Sequence, residues 1–451
     1  MALGQTVPMR RGAVGYAKSG DVHVAYQVVG DGPVDVIFVW GGVSHLELGW
    51  EHLPTAEFFD GLAAVSRLIL IDKRGTGLSD RPAFSAGLEP RMDDLRAVLD
   101  AVGSERSFVF GESEAAGLAT LFAATFPERV RGLLLYAPLV RILATDDFPW
   151  AHTAEAFDAY IEASTRHWGD GLMMSLHSPS TFEDPVLRDF WGRLERMSMS
   201  PGGFEEHMRA IADLDIRPIL PLVQTPTLVL HREDDPTVPI GQGEYVADAI
   251  PGARLLRFAG SDHYPMVGDP WSLLAAATEL IGDQAGTPPV DFERLLMTVL
   301  FTDIVGSTER LAAVGDRRWL ELIDLHDRLA RSAVARHRGR LIRTTGDGAL
   351  ATFDGPARAI RCALEMKEDA RRLGVEIRAG LHTGEVETHG DDVAGIAVHT
   401  ASRVQSEAGA GEVLVSRTVV DLVAGSGLVF DDRGVRSLRG IPGEWQLFAV
   451  A

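Results

Sequence analysis

The chain has 451 residues, of which 46% are hydrophobic and 24% are charged, and this composition is typical of folded proteins rather than collagen-like or disordered ones. The length predicts two or three domains at roughly 100 to 200 residues each. The formal net charge is −21, with −18 in residues 1–290 and −3 in residues 291–451. Phosphate backbones and anionic lipids require a basic face, so this charge argues against nucleic acid or a membrane surface as the general partner.

Cysteine usage and hydropathy indicate the cellular compartment. Cys362 is the sole cysteine, so no intramolecular disulfide can form and a reducing environment is expected. The segment Met1–Val14 lacks a continuous apolar region, and no stretch approaches the roughly 18 apolar residues of a membrane span. We therefore expect a cytoplasmic protein without a membrane span.

Short apolar runs alternate with helical segments between residues 34 and 281. The runs are VDVIFVW (34–40), RLILID (67–72), SFVFG (107–111), VRGLLLYAP (130–138), TPTLVLHRE (225–233) and ARLLRFAG (253–260). Such strands, separated by helices, are typical of a mostly parallel sheet covered on both faces, which is an α/β fold. Between about residues 139 and 221 the sequence becomes helical and rich in tryptophan and methionine. This segment predicts a helical cap, which either packs as a small subdomain or also lines an apolar ligand pocket.

A serine follows one of these strands in the context of a nucleophile elbow. The segment GESEA (111–115) joins strand SFVFG to a helical stretch and places small residues two positions on either side of Ser113. A serine hydroxyl needs a base, and His263 follows the strand ARLLRFAG. Asp234 and Asp235 both follow strand TPTLVLHRE, and Asp235 is preferred because it directly precedes the Pro-Thr-Val-Pro turn. We predict that His263 is the base and that Asp235 orients it; the alternative is that all three are ordinary polar residues at strand ends.

Residues 16–282 resemble the α/β-hydrolase fold, in its esterase, epoxide-hydrolase and haloperoxidase-like branch. The resemblance implies a hydrolase domain over residues 1–282 and an oxyanion hole made by the backbone N–H groups of Gly42 and Glu114. The turn DKRGTGLS (72–79) also resembles the turn after an early strand of that branch, for which scaffolding is favoured and catalysis is the alternative. The expected partner is a small apolar ester or acyl ligand, which the domain either cleaves or senses without a cofactor.

A second domain follows a linker. The segment GDQAGTPPVD (282–291) is small, polar and rich in proline, which predicts a linker over residues 283–294. After it come the strand MTVLFTDI, helices across Ser307–His337, the hairpin LIRTTGDGALATF, the helix ARAIRCALEMKEDARRL and the strands VEIRAGLHTGEV, GEVLVS and EWQLFAV. The residues predicted to form the buried face of the long helix are Trp319, Leu322, Ile323, Leu325 and Leu329. This pattern indicates an α+β domain over residues 295–451.

Two aspartates stand at strand ends of this domain. Asp303 ends the strand MTVLFTDI, and Asp347 lies in the hairpin turn TGDG (345–348). Two carboxylates brought together can hold two Mg²⁺ or Mn²⁺ ions, which is the arrangement used for in-line phosphoryl displacement. The alternative is an N-cap and an ordinary turn aspartate.

These residues resemble the class III nucleotidyl cyclase catalytic domain, which has a ferredoxin-like α+β fold. The resemblance implies that Asp303, Asp347 and the Ile304 carbonyl bind both metal ions, and that the product is a 3′,5′-cyclic nucleotide. Arg343 and Asp392 match the positions that select the base, although adenine-selecting members usually carry lysine in place of Arg343.

Two further positions complete the resemblance. His399 stands where the family usually has a ribose-orienting asparagine, and Arg403 matches the arginine that stabilises charge in the transition state. Asp392 can accept from the adenine 6-amino group and would be poorly placed against guanine O6, so ATP is favoured over GTP. Sites of this family form across a dimer interface, so the resemblance implies a homodimer.

The whole chain resembles mycobacterial and actinobacterial fusions of an α/β hydrolase with a class III cyclase. The leading hypothesis is an adenylyl cyclase that carries an esterase-like or ligand-sensing hydrolase domain. One alternative is a carboxylesterase whose cyclase domain serves mainly for dimerisation, and another is a guanylyl cyclase.

Overall fold

A computed structural model describes residues 10–82, 87–286, 294–307, 311, 315–344, 347–389 and 392–451. The chain divides into two compact units, Met1–Asp291 and Phe292–Ala451. Within the described ranges, no helix is both long and apolar enough to cross a membrane. Most of the predicted linker and the turn residues Thr345 and Gly346 lie outside the described residues.

An eight-stranded sheet forms the centre of the first unit. Its strands are β1 (Gly15–Ser19), β2 (Val22–Val29), β3 (Asp35–Val39), β4 (Arg67–Ile71), β5 (Ser107–Glu112), β6 (Val130–Tyr136), β7 (Thr227–Arg232) and β8 (Arg254–Phe258). The order across the sheet is β1-β2-β4-β3-β5-β6-β7-β8, and strands β3 to β8 run parallel. The antiparallel pair β1 and β2 extends the parallel sheet that the apolar runs predict. Because β3 to β8 are parallel, the loops after β5, β7 and β8 meet at one edge.

Helices surround this sheet. They are α1 (Leu53–Ala63), α2 (Leu88–Ala101), α3 (Ala115–Thr125), α8 (Ile240–Ala249) and α9 (Pro270–Ala285). Four more form the cap between β6 and β7, namely α4 (Ala154–Arg166), α5 (Leu172–Leu176), α6 (Pro185–Ser198) and α7 (Pro201–Ile211). Three cap helices begin at side chains that accept backbone N–H groups, Thr153, Asp184 and Ser200, which explains where these helices start.

The second unit has a mostly antiparallel sheet. Its strands are β9 (Arg294–Ile304), β10 (Arg340–Thr344), β11 (Gly348–Phe353), β12 (Ile377–His389), β13 (Asp392–Ala394), β14 (Val413–Ser416), β15 (Phe430–Arg436) and β16 (Trp445–Val450). The order is β10-β11-β9-β12-β14-β16-β15, with β13 beside β12 and with β12 and β14 as the parallel pair. The helices are α10 (Asp316–Arg336), α11 (Pro356–Arg372), α12 (Ile396–Glu407) and α13 (Arg417–Leu422).

Helix α10 departs from the predicted buried face at Leu325, and the predicted core residue Leu329 is only half-buried. Trp319, Leu322 and Ile323 pack partly buried against the core of the unit, but 37% of Leu325 is exposed. The fully buried residues of the helix are His326, Ala330, Ala333 and Val334. Successive residues turn by about 100° around a helix, so Leu325 lies beside this stripe rather than on it. The prediction that Leu325 is core is therefore wrong.

Two candidate active sites

Ser113 occupies a strained turn between β5 and α3. Its φ angle is +53°, a left-handed conformation that a residue with a side chain adopts only when its surroundings enforce it. Neighbouring positions must be small, because a Cβ atom on Gly111 would lie 2.8 Å from that of Ala119. A Cβ atom on Gly41 would likewise lie 2.8 Å from Cβ of Ser113. This crowding supports the predicted elbow geometry.

The structure brings Ser113, His263 and Asp235 together in one hydrogen-bonded line. Nε2 of His263 lies 2.9 Å from Oγ of Ser113, and Nδ1 lies 2.8 Å from Oδ2 of Asp235. The other carboxylate oxygen of Asp235 accepts backbone N–H groups from Thr237 and Val238, which fixes the orientation of the carboxylate. Asp234, the rival candidate, is exposed at the surface.

Electrostatics favour a charged Asp235 and a basic His263. Burial alone raises the pKa of Asp235, but the charge and hydrogen bond of His263 outweigh it and hold that pKa below its ordinary value. Burial alone lowers the pKa of His263, but the carboxylate of Asp235 outweighs it and holds that pKa above its ordinary value. Both shifts are those expected for an imidazole that accepts a proton next to a fixed anion.

The two residues predicted for the oxyanion hole border the same cavity as Ser113. Gly42 has a φ angle of +36°, and the backbone of Glu114 already has helical angles at the start of α3. Neither backbone N–H donates to another group in the part of the chain that the structure describes. Both donors are therefore available to a ligand oxygen.

A buried ionic cluster surrounds Glu114, and no motif in the sequence marks it. Lys73 pairs with Oε1 of Glu114, while Arg91 lies 3.5 Å from Oε2 of Glu114. His207, from cap helix α7, lies 3.4 Å from Oε1, and its Nδ1 accepts from Arg91 at 2.8 Å. Burial alone raises the pKa of Glu114, but Lys73 and His207 outweigh it and hold that pKa well below its usual range. The cluster thus ties the cap to the residue that carries one predicted oxyanion donor.

Glu112, which directly precedes Ser113, is a second buried carboxyl. Its Oε2 accepts the backbone N–H of Gly41 at 3.3 Å. Burial raises the pKa of Glu112 to about 7, although His263 and the Gly41 N–H oppose the increase. Glu112 therefore titrates near neutral pH next to the loop that carries Gly42.

Above Ser113 lies an apolar cavity of about 210 Å³ between sheet and cap. The apolar side chains that line it from the cap include Phe157, Trp168, Met173, Phe204, Met208 and Ile211. The cap therefore also lines a pocket, as one of the two interpretations of residues 139–221 expects. Since an apolar cavity of about 150 Å³ holds benzene, this one has room for an acyl or aryl group of roughly six to eight carbon atoms.

In the second unit, neighbouring strands bring Asp303 and Asp347 together. Gly348 lies opposite Asp303 in the ladder of β9 and β11, and the Ile304 N–H donates to the Asp347 carbonyl at 2.9 Å. The guanidinium of Arg378, opposite Asp303 on β12, donates to Oδ2 of Asp303 at 2.6 and 3.1 Å.

The donors of this site suit a hard divalent cation. Asp303, Asp347 and the Ile304 carbonyl offer only oxygen atoms, which Mg²⁺ and Mn²⁺ prefer. The ion pair with Arg378 shows that the carboxylate of Asp303 already holds a positive group. Within the described ranges, no group of three or more His, Cys, Asp or Glu residues is arranged to hold a metal. Asp303 and Asp347 thus offer oxygen donors of the right kind, and their role as metal ligands stays a prediction.

The four remaining predicted residues form two groups. Arg343 and Asp392 contact each other, with NH1 of Arg343 3.2 Å from Oδ2 of Asp392. His399 and Arg403 lie four residues apart on α12 and are exposed on one face together with Ile396. Neither His399 nor Arg403 has a side-chain hydrogen bond to any residue that the structure describes.

Comparison with known proteins gives a separate family match for each of the two units. Residues 36–270 match the family model of the alpha/beta hydrolase fold, and residues 294–451 match that of the adenylate and guanylate cyclase catalytic domain. The chain is therefore an α/β protein in which a hydrolase-fold domain precedes a sheet-rich cyclase catalytic domain. It belongs to the alpha/beta hydrolase fold family.

Individual relatives match separate parts of the chain. A pimeloyl-[acyl-carrier protein] methyl ester esterase of Nitrosomonas europaea is 25% identical over 253 residues, which cover 55% of this chain and 95% of the esterase. The serine/threonine-protein kinase pkn2 of Myxococcus xanthus is 31% identical over 131 residues, 27% of this chain and 16% of the kinase. The crystal structure of esterase RhEst1 from Rhodococcus sp. ECU1013 has 21% identity and a TM-score of 0.51, covering 60% of this chain and 99% of that one.

Proposed function

We propose that the chain combines two activities, hydrolysis of an apolar carboxylic ester in the first unit and conversion of ATP to cyclic AMP in the second. The observation that carries the first activity is the hydrogen-bonded line from Ser113 through His263 to Asp235. The second rests on the cyclase family match together with the position of Asp347, which directly precedes Gly348, the residue that pairs with Asp303 on the adjacent strand.

In the proposed hydrolysis, Oγ of Ser113 attacks the ester carbonyl while Nε2 of His263 takes its proton. The N–H groups of Gly42 and Glu114 stabilise the oxyanion, and Asp235 stabilises the imidazolium. His263 then gives the proton to the departing alcohol. A water molecule, deprotonated by His263, releases the acid and restores Ser113. The ester class is supported by the apolar cavity and by the methyl ester esterase among the relatives.

In the proposed cyclase reaction, the ribose 3′-oxygen forms a bond to the α-phosphorus of ATP and pyrophosphate leaves. Asp303, Asp347 and the Ile304 carbonyl would hold two divalent cations. When bound, Mg²⁺ or Mn²⁺ supplies Lewis-acid activation of the ribose 3′-hydroxyl and neutralises triphosphate charge. Asp392 accepts from the adenine 6-amino group and Arg343 donates to the ring, and their 3.2 Å contact supports their action as one unit.

The same proposal makes the active enzyme a homodimer. His399 orients the ribose and Arg403 stabilises charge in the transition state, each serving the aspartates of a second copy. Support comes from the exposure of both side chains on one face of α12, where they meet no acidic partner among the described residues. Activity is therefore expected to rise more steeply than linearly with protein concentration in the range where dimers form.

The hydrolase proposal is tested with p-nitrophenyl hexanoate. Ser113→Ala is expected to abolish the release of p-nitrophenol, whereas Ser180→Ala, an exposed serine of the cap, is expected to retain it. Equal hydrolysis by wild type and Ser113→Ala would overturn the nucleophile assignment.

The cyclase proposal is tested with Asp303→Asn against Asp431→Asn, an exposed aspartate on β15, with ATP and Mn²⁺.

A further inference from the structure

Three polar side chains among the residues that line the cavity of the first unit are joined by hydrogen bonds. Nδ1 of His177 lies 2.5 Å from Oγ1 of Thr237, and Nε2 of His177 lies 3.0 Å from the Tyr160 hydroxyl. Tyr160 belongs to cap helix α4, His177 follows α5, and Thr237 belongs to the loop after β7. All three border the cavity above Ser113.

The hydrogen-bonded side chains of Thr237, His177 and Tyr160 have one more donor proton than they have hydrogen bonds. Burial disfavours the charged imidazole and lowers the pKa of His177 to about 3, so at neutral pH the ring carries a single N–H. Tyr160 and Thr237 contribute one hydroxyl proton each, which gives three protons for two hydrogen bonds. If Tyr160 donates to His177, then His177 donates to Thr237 and the Thr237 proton is left over. If Thr237 donates instead, the Tyr160 proton is left over.

Ser164 supports the same count. It lies one turn further along α4, close to the Tyr160 hydroxyl, and it borders the cavity. Its side chain is buried, and its Oγ has no hydrogen-bond partner among the residues described. Adding Ser164 to the chain would add one proton and one bond, which leaves one donor still unused. An unused donor in a cavity lined mainly by apolar side chains is costly unless a ligand or water accepts from it.

These three hydrogen-bonded side chains also lie next to the proposed reacting groups. The ring centroids of His177 and His263 are 6.1 Å apart, and the His177 carbonyl accepts the backbone N–H of His263 at 2.8 Å. The backbone N–H of Thr237 donates to Asp235. A substrate atom that reaches the unused donor is therefore only a few bonds from the ester carbonyl.

We propose that the Thr237–His177–Tyr160 chain is a second recognition point, which donates one hydroxyl hydrogen bond to an acceptor oxygen of the substrate other than its ester carbonyl. The inference rests on the proposed hydrolysis and deepens it. The substrate class is an apolar ester or lactone with an ether, keto or hydroxyl oxygen near the reacting carbonyl. A plain hydrocarbon acyl group would leave the donor unused.

The test compares p-nitrophenyl hexanoate with three isosteres in which an ether oxygen replaces the third, fourth or fifth carbon of the acyl chain. Each kcat/KM is divided by the rate constant for alkaline hydrolysis of the same ester, which removes differences in intrinsic reactivity. We expect wild type to prefer at least one ether over hexanoate by about three- to tenfold, the range of a single neutral hydrogen bond. If every ether is a poorer substrate than hexanoate, the proposal is wrong.

Variants test whether the ether preference depends on Tyr160, His177 and Thr237. In the variant Tyr160→Phe/His177→Leu/Thr237→Val, which replaces all the partners by apolar groups, the ether preference is expected to disappear. The matched control is Tyr264→Phe, because the Tyr264 hydroxyl borders the same cavity but already donates to Sδ of Met174. It is expected to keep the ether-to-hexanoate ratio of wild type. A ratio retained by the triple variant would overturn the proposal even if wild type prefers an ether.

Binding separates failure of this inference from failure of the proposed hydrolysis. In Ser113→Ala, which is expected to bind without turnover, quenching of the cavity residue Trp168 reports the dissociation constants of the same four esters. If wild type hydrolyses none of them, the hydrolysis proposal fails, and tighter ether binding would still support the recognition point. Equal or weaker binding of all three ethers would contradict it.

Discussion

Glu114→Gln is the most informative perturbation of the first unit, because Glu114 holds the buried ionic cluster and carries a predicted oxyanion donor. Only 3% of Lys73 and 5% of Glu114 are exposed. Removing one partner of a buried ion pair costs roughly 3–5 kcal/mol. In the variant, Lys73 can release its proton, and a neutral lysine no longer carries an unpaired charge in the protein interior. We therefore expect the free energy of unfolding to fall by an amount near the lower limit, about 3 kcal/mol at pH 7.

The destabilisation caused by Glu114→Gln is expected to depend on pH through the protonation of Lys73. Burial already lowers the pKa of Lys73, and loss of Glu114 lowers it further. Between that folded-state pKa and the pKa of an unfolded lysine, the unfolded chain binds more protons, so stability rises with pH. The destabilisation of Glu114→Gln is therefore expected to shrink between pH 7 and pH 9.

Urea unfolding followed by tryptophan fluorescence measures this effect, since six of the eight tryptophans lie in residues 1–291. The double variant Lys73→Met/Glu114→Gln is the matched comparison, and it is expected to recover about 1–3 kcal/mol because no lysine charge remains to be buried. A Glu114→Gln transition within 1 kcal/mol of wild type, or a double variant less stable than the single one, would refute this reasoning.

Further predictions concern individual residues of the first unit. Asp235→Asn is expected to lower kcat for p-nitrophenyl hexanoate about 10⁴-fold, while Asp234→Asn leaves it near wild type; equal losses would contradict the assignment of Asp235. The folded-state pKa of Glu112, about 7, exceeds its unfolded value, so its stabilising contribution is complete at low pH and is lost as pH rises through 7. Relative to Glu112→Gln, wild type should lose about 1 kcal/mol of unfolding free energy between pH 6 and pH 8, and parallel curves would refute the shift. Gly41→Ala should cost about 1–3 kcal/mol by crowding Ser113, whereas Gly282→Ala, in open space on α9, should be neutral or stabilising; similar unfolding curves for both would argue against the crowding.

The strands with continuous apolar sequences were predictable, as were those of the hairpin LIRTTGDGALATF, but β15 was not. The parallel strands β3 to β8 coincide with the predicted apolar runs, and only β5 extends beyond its run, by the single residue Glu112. In contrast, β15 has the sequence FDDRGVR and lies at the edge of its sheet, where five of its seven residues are exposed. An exposed edge strand buries no continuous face, so it leaves no apolar run in the sequence.

In the candidate sites, too, some contacts could be predicted from the sequence and others could not. The chain order of Ser113, Asp235 and His263 was sufficient to predict their meeting, because parallel strands bring their carboxyl ends to one edge. The contacts of Lys73, Arg91 and His207 with Glu114 were not predictable, since these residues come from a turn, a core helix and a cap helix with no shared spacing. The ion pair of Asp303 with Arg378 depends on the register of β9 and β12, which the sequence pattern does not specify.

The most direct test of the central claim is to incubate the purified chain with Mn²⁺ and either ATP or GTP, in parallel, over protein concentrations that span dimer formation. We predict cyclic AMP from ATP, much less cyclic GMP from GTP, and loss of both products in Asp303→Asn but not in Asp431→Asn. Ester hydrolysis by Asp303→Asn should remain at the wild-type level, because the aspartates belong to the second unit. Cyclic GMP as the main product, or no cyclic nucleotide at any concentration, would contradict the proposal of an adenylyl cyclase.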